Sequence, residues 1–165
     1  MQEMRVYIAN LGKYNEGKLV GEWFTPPLDF DEVKEKIGLN GEYEECAIHD
    51  YECPVEMSEY MSIDEVNNIY YLLEEIEGSG MEDVVNELIG YWFSDLEELV
   101  EHKDDIIHYH CDSFEELAEQ FVDEGLLGEI PDALRYYIDY EAYGRDLELD
   151  GQFCLTDHGI FEYTR

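Results

Sequence analysis

The spacing of apolar positions changes several times along the chain. "MRVYIAN" and "KLVGEWFT" alternate as strands do, and the turn-rich "LGKYNEG" lies between them. Pro26-Pro27 stops the second strand. A short helix is predicted from Asp29 to the breaker Gly38, with Asp29 and Glu32 at capping-box spacing. "YEECAIHDYE" predicts a third strand, ended by Pro54. Then the period lengthens to that of a helix. Ser62 with Glu65, Ser94 with Glu97 and Ser113 with Glu116 form three S-x-x-E patterns, each ahead of an amphipathic run. Val66, Ile69, Tyr70, Leu72, Leu73 and Ile76 mark the apolar face of the first helix, which "GSG" ends. "MEDVVNELIGYWF" and "DLEELVEH" predict two more helices, and three short helices pack most simply as a bundle. "IIHYH" reads as a strand and "FEELAEQFVDEG" as a helix closed by Gly125. "IPDALRYYIDYEAYGRDL" reads as a further helical segment with Pro131 in its first turn. "QFCLT", "DHG" and "IFEYT" read as a closing hairpin. The expectation is an α+β chain of three small modules: an α+β unit over 1–61, a helical unit over 62–103 and a second α+β unit over 104–165.

Charge changes this picture. The 165 residues hold 43 Asp and Glu against 9 Lys and Arg, a formal net charge of −34. Such a balance alone would suggest disorder, but 45% hydrophobic content with 14 Tyr, 7 Phe and 2 Trp is enough to build cores. The acids are unevenly spread. Residues 1–36 hold seven acids and five bases, residues 37–134 hold 29 acids and the single base Lys103, and residues 135–165 hold seven acids and three bases. A surface of this sign repels nucleic acid and anionic membrane and attracts basic surfaces.

Some acids suit their helices. Asp64, Glu65, Glu115 and Glu116 fall in first turns, where a carboxylate favours the helix dipole. Others oppose it: Glu74, Glu75 and Glu77 crowd a helix C-terminus. Glu74–Glu77, Glu98–Glu101 and Glu115–Glu119 are like-charge neighbours on one face. Each such pair costs about 0.2–0.5 kcal/mol where a lysine would have stabilised the helix by as much. The geometry offers one reason, since duplex DNA carries a charge per about 1.7 Å of axis, and 34 charges equal those of roughly 17 base pairs. On composition alone, nucleic-acid mimicry, a generic acidic, solvated or halophilic surface, and cation binding all stay open.

Other chemistry finds little support. "HYHC" puts His108 and His110 on one face of a strand beside Cys111, but no fourth ligand is suitably spaced. Asp150 and Asp157 lack EF-hand spacing. The four cysteines are scattered, as idle thiols in a reducing compartment would be. The chain has no G-x-S-x-G, P-loop or G-x-G-x-x-G pattern. The expectation is a non-enzyme with no metal and no cofactor. "MQEMRVYIAN" lacks the basic and apolar regions of a signal peptide, and no apolar run nears a membrane span, so a cytoplasmic protein without membrane contact is expected.

One segment stands apart from the acids. "LLGEIPDALRYYIDYEAYGRDLEL" carries Arg135 and Arg145 with Tyr136, Tyr137, Tyr140 and Tyr143. Ile130, Leu134, Tyr137 and Ile138 keep helical spacing and fit a core helix, while the aromatics and arginines fit a self-association surface. This segment, with "VYIANLGKYNEGKLVGEWF", "AIHDYE" and "HGIFEY", resembles the ArdA-type antirestriction proteins across nearly the whole chain. Leu126 to about Asp146 matches the family's antirestriction motif.

The resemblance implies an elongated homodimer of three-module subunits, encoded by mobile elements. It would resemble bent B-form DNA and occupy the DNA-binding surface of type I restriction-modification enzymes, on their methyltransferase core. The carboxylates standing in for phosphates would then be Glu65, Glu74, Glu75, Glu77, Glu82, Asp83, Glu87, Asp95, Glu97, Glu98, Glu101, Asp104, Asp105, Asp112, Glu115, Glu116, Glu119 and Asp123. The dimer contacts would come from Leu126, Leu127, Arg135, Tyr136, Tyr137, Tyr140, Tyr143 and Arg145. An acidic chaperone or scaffold that shields basic partners is the alternative.

Overall fold

The computed structural model describes residues 3–165 and is α+β. The chain divides into two compact units, Met1–Gly78 and Ser79–Arg165.

In the first unit, β1 (Arg5–Asn10) is the central strand of an antiparallel sheet. It lies between β2 (Gly21–Phe24) and β3 (Cys46–Glu52). Val6, Ile8, Phe24, Ala47 and Ile48 are buried there, and α2 (Phe30–Ile37) packs on β1 and β2 through Val33 and Ile37. Asp29 caps α2 by accepting from the Glu32 amide at 3.1 Å, and Gly38 ends it at φ 72°, the left-handed conformation glycine reaches at low cost. The "LGKYNEG" link is more than a turn, because Leu11–Asn15 forms the one-turn helix α1, capped by Asn10. Asn10 is the buried polar residue of the described chain. It also donates to the carbonyls of Ile37 and Gly38 at 3.0 and 3.2 Å, tying strand to helix.

The helix α3 (Ile63–Ile76) belongs to this unit. Its capping box is complete: the Ser62 hydroxyl accepts from the Glu65 amide, and the Glu65 carboxylate accepts from the Ser62 amide. Asn67 pairs with both backbone groups of Leu28, at 2.6 and 2.8 Å, and anchors the helix to the sheet unit. The three helices expected to form one bundle over 62–103 are therefore divided between units. The break falls after Gly78, beyond α3, where the expected boundaries lie at 61 and 103.

The second unit holds a sheet in the order β4 (Ile106–Tyr109), β6 (Gly159–Tyr163), β5 (Phe153–Thr156), with β5 and β6 forming the closing hairpin. A 3-10 turn over Met81–Asp83 precedes α4 (Val85–Trp92), so the helix expected from Met81 begins four residues later. Next come α5 (Leu96–Glu101), α6 (Phe114–Asp123), α7 (Asp132–Arg135) and α8 (Tyr140–Leu149). The core gathers Cys111, Phe114, Leu117, Phe121, Phe153 and Ile160, with Tyr109, Tyr143 and Leu147 packed against it. Gly144 permits the approach of α8 to α6: a Cβ there would stand 2.7 Å from the Phe114 carbonyl carbon.

Two local expectations need correction. Ser94 does not cap α5; Asp95 does, accepting from the Glu98 amide at 2.9 Å, while Glu98 accepts from the Ser94 amide and hydroxyl at 2.7 Å each. Nor is 130–147 one helix. The Asp139 carboxylate accepts from the Ala142 amide and starts a new helix, leaving Leu134 and Tyr137 exposed rather than in a core.

Candidate anionic surface

The amphipathic pattern that buries one face of each helix turns its acids outward. On α5, Leu96, Leu99 and Val100 are buried while Glu97 and Glu101 are exposed one turn apart. On α6, Phe114, Leu117, Ala118, Phe121 and Val122 are buried, and Glu115, Glu116, Glu119 and Asp123 are exposed. These ten residues rise about 15 Å, so four carboxylates, of which Asp123 is ion-paired with Arg135, give a carboxylate per about 4 Å. That is close to the 3.4 Å spacing along one DNA strand.

All eighteen carboxylates named from the sequence lie at the surface. Glu82, Glu98 and Asp105 are half-buried and the other fifteen exposed. They differ in what they do locally. Glu65 and Glu98 accept backbone amides at helix starts, which holds both below the usual carboxylate range. Glu116 accepts from the Asp112 amide, Asp95 caps α5, and Glu74 accepts the Tyr70 hydroxyl at 2.6 Å. Asp123 is ion-paired with Arg135 at 2.6 Å and Asp105 with Arg165 at 2.9 Å, so these two present less free charge than the sequence implies. By contrast, Glu97, Glu101, Asp104, Glu115 and Glu119 make no hydrogen bond or ion pair among the described residues.

The few cations are largely cancelled by the chain itself. Arg5 grips Glu52 with two bonds of 2.7 and 2.9 Å, Lys36 meets Glu32 at 2.9 Å, and Arg145 lies 3.8 Å from Glu141. By count, residues 1–78 hold 19 acids and five bases, a net −14, and residues 79–165 hold 24 acids and four bases, a net −20. The first unit thus carries acids that were not singled out. Glu42, Glu44, Glu45, Asp50, Glu56 and Glu59 are all exposed. Their signal was the same excess of acid over base, already running from residue 37.

The aromatic segment begins where α6 closes in a Schellman motif. Gly125 takes φ 79°, the Leu126 amide donates to the Phe121 carbonyl, and the Gly125 amide donates to that of Val122. Leu126, Leu127 and Leu134 are exposed, and Tyr136 and Tyr137 are 93% and 85% exposed. Tyr140 and Tyr143 are half-buried, with Tyr143 against the core, while Arg145 is exposed.

Among the described residues, no group of three or more His, Cys, Asp and Glu converges to hold a metal, and no helix is long and apolar enough to cross a membrane. His108 is stacked on Phe161 at 4.2 Å, with its Nε2 2.7 Å from the His158 carbonyl oxygen.

A search of curated proteins found no match to the chain. The family model for antirestriction protein (ArdA) matches residues 6–162, from the first strand of the first unit to the last strand of the second. The chain belongs to the ArdA antirestriction protein family.

Proposed function

We propose that this antirestriction protein acts as a mimic of duplex DNA. It occupies the DNA-binding surface of a type I restriction-modification enzyme, on its methyltransferase core, and so protects incoming mobile DNA in the bacterial cytoplasm. The observation that carries this reading is the one-sided treatment of charge. Exposed carboxylates stand in rows without cations, while the chain's own Lys and Arg are mostly tied to its own acids. Folding alone favours the opposite arrangement, with lysines interleaved among the glutamates of each helix face. Inhibition is by occupancy and needs no catalysis. The Leu126–Asp146 segment joins two subunits, so that the acidic surface is doubled.

The test is a competition titration. Labelled DNA bound to a type I methyltransferase is displaced by added protein, with a basic histone-like protein as the comparison partner. Displacement near equimolar protein, weakening steeply between about 50 and 200 mM salt, is expected. Equal affinity for the histone-like protein would instead assign the chain to acidic shielding of basic partners.

A further inference from the structure

Three of the five cations in the first unit sit over an aromatic ring, two of them ion-paired with a carboxylate and the third over a ring whose hydroxyl holds one. The Arg5 guanidinium lies 5.1 Å from the centre of Trp23 while both its bonds go to Glu52. Lys36 lies 5.6 Å from Phe24 and pairs with Glu32. Lys13 lies 5.5 Å from Tyr43, whose hydroxyl donates to Glu16 at 3.0 Å. Ring and carboxylate together are this chain's recurrent way of holding a cation, and each supplies what the other lacks: a polarisable face and a localised charge.

The same pairing recurs on α3 with no Lys or Arg of the described residues over it. Tyr70 donates its hydroxyl to Glu74 Oε1 at 2.6 Å, as Tyr43 does to Glu16, and this leaves Oε2 without a hydrogen bond among the described residues. Tyr71 stands edge-on to Tyr70 at 5.4 Å and is 52% exposed. Its ring and Glu74 are three residues apart on the helix and so are surface neighbours. The bond to Glu74 raises the Tyr70 hydroxyl above its ordinary value, so the hydroxyl stays protonated and donating.

We propose that Tyr70, Tyr71 and Glu74 receive an arginine side chain from a protein partner, its guanidinium on the Tyr71 ring and its N–H groups on Glu74. Arginine suits the corner better than lysine, because a planar fork both stacks and binds a carboxylate. The identity of the partner rests on the duplex-mimic reading, since grooves that bind DNA are lined with arginines that reach phosphates. The corner would give the mimic a contact that a phosphate lacks.

Tyr71→Leu tests this without altering charge. In the DNA-displacement titration, the concentration for half displacement should rise about two- to fivefold, the scale of an exposed cation–π contact. Its salt dependence should not change, and Tyr71→Phe should behave as the native chain. In a second measurement, hexa-arginine peptide should shift the Tyr71 ring proton signals more than hexalysine does, and Glu74→Gln should reduce the shift. Tyr71→Leu displacing DNA as well as the native chain, with ring signals unmoved by hexa-arginine, would overturn the proposal and leave mimicry standing. If the native chain fails to displace DNA while hexa-arginine still shifts Tyr71, the corner stands and the mimic reading falls.

Discussion

Glu98 carries two roles in one side chain. It accepts the Ser94 amide and hydroxyl at the start of α5 and still adds its charge to the surface. Glu65 likewise accepts the Ser62 amide at the start of α3 while its charge stays at the surface. Both are held below the ordinary glutamate value of 4.5, chiefly by the backbone amide they accept. A depressed folded value means stability that is present above 4.5 and lost as pH falls through the folded value. Glu98→Gln should therefore lower the urea midpoint at pH 7, and the deficit should shrink as pH drops below 4.5. A deficit independent of pH would mean that the charge is irrelevant to the cap. The sequence pointed to this cap one residue early. Ser94-x-x-Glu97 and Asp95-x-x-Glu98 overlap, and S-x-x-E spacing cannot choose between them. Leu96, Leu99 and Val100 choose, because burying them sets the helix phase that turns Glu97 outward.

At the scale of elements, alternation and 3.6-residue periodicity located the six strands and most helices, because each buries one face against a neighbour. The segment 130–147 was harder to read. Its apolar spacing is continuous, yet Asp139 restarts the chain as α8, and only packing against α6 reveals which residues face inward. That packing is testable. Leu117 is fully buried in the α6–α8 core, so Leu117→Ala should cost about 2–5 kcal/mol in chemical denaturation. Gly144→Ala puts a methyl against the Phe114 backbone and should cost about 1–3 kcal/mol through strain, with no cavity formed. The exposed part of the same segment serves a different test. Truncating Tyr140 or Tyr143 would also disturb half-buried positions, whereas Tyr136 and Tyr137 extend into solvent. Tyr136→Ser with Tyr137→Ser should leave the melting of the subunit unchanged and yield monomers by ultracentrifugation at micromolar concentration. A dimer that survives the double change would put the self-contact elsewhere.

For the whole molecule, the same charge should act with opposite signs on folding and on binding. At −34 the folded chain repels itself, and salt screens that repulsion: the Debye length falls from about 30 Å at 0.01 M to about 10 Å at 0.1 M. Added salt should therefore raise the melting temperature while it weakens displacement of DNA from a methyltransferase, which depends on exchanging counterions. The carboxylates that make no internal bond separate these effects most cleanly. Changing Glu97, Glu101, Asp104, Glu115 and Glu119 to their amides removes five charges, leaving −29 in place of −34, and breaks no cap or ion pair of the described residues. It also relieves the like-charge pairs Glu97–Glu101 and Glu115–Glu119, each worth about 0.2–0.5 kcal/mol. The quintuple variant should melt close to the native chain at low salt, because the relieved repulsions offset the dipole interactions of about 0.3–1 kcal/mol each that Glu97 and Glu115 make in first helical turns. It should gain less from added salt, and displace DNA only at several-fold higher concentration. A single amide among the five should change displacement little, because many carboxylates share the load. Loss of stability in the quintuple variant would mean that these acids serve the fold. Unchanged displacement would move the target-facing surface to the exposed acids of the first unit, from Glu42 to Glu59.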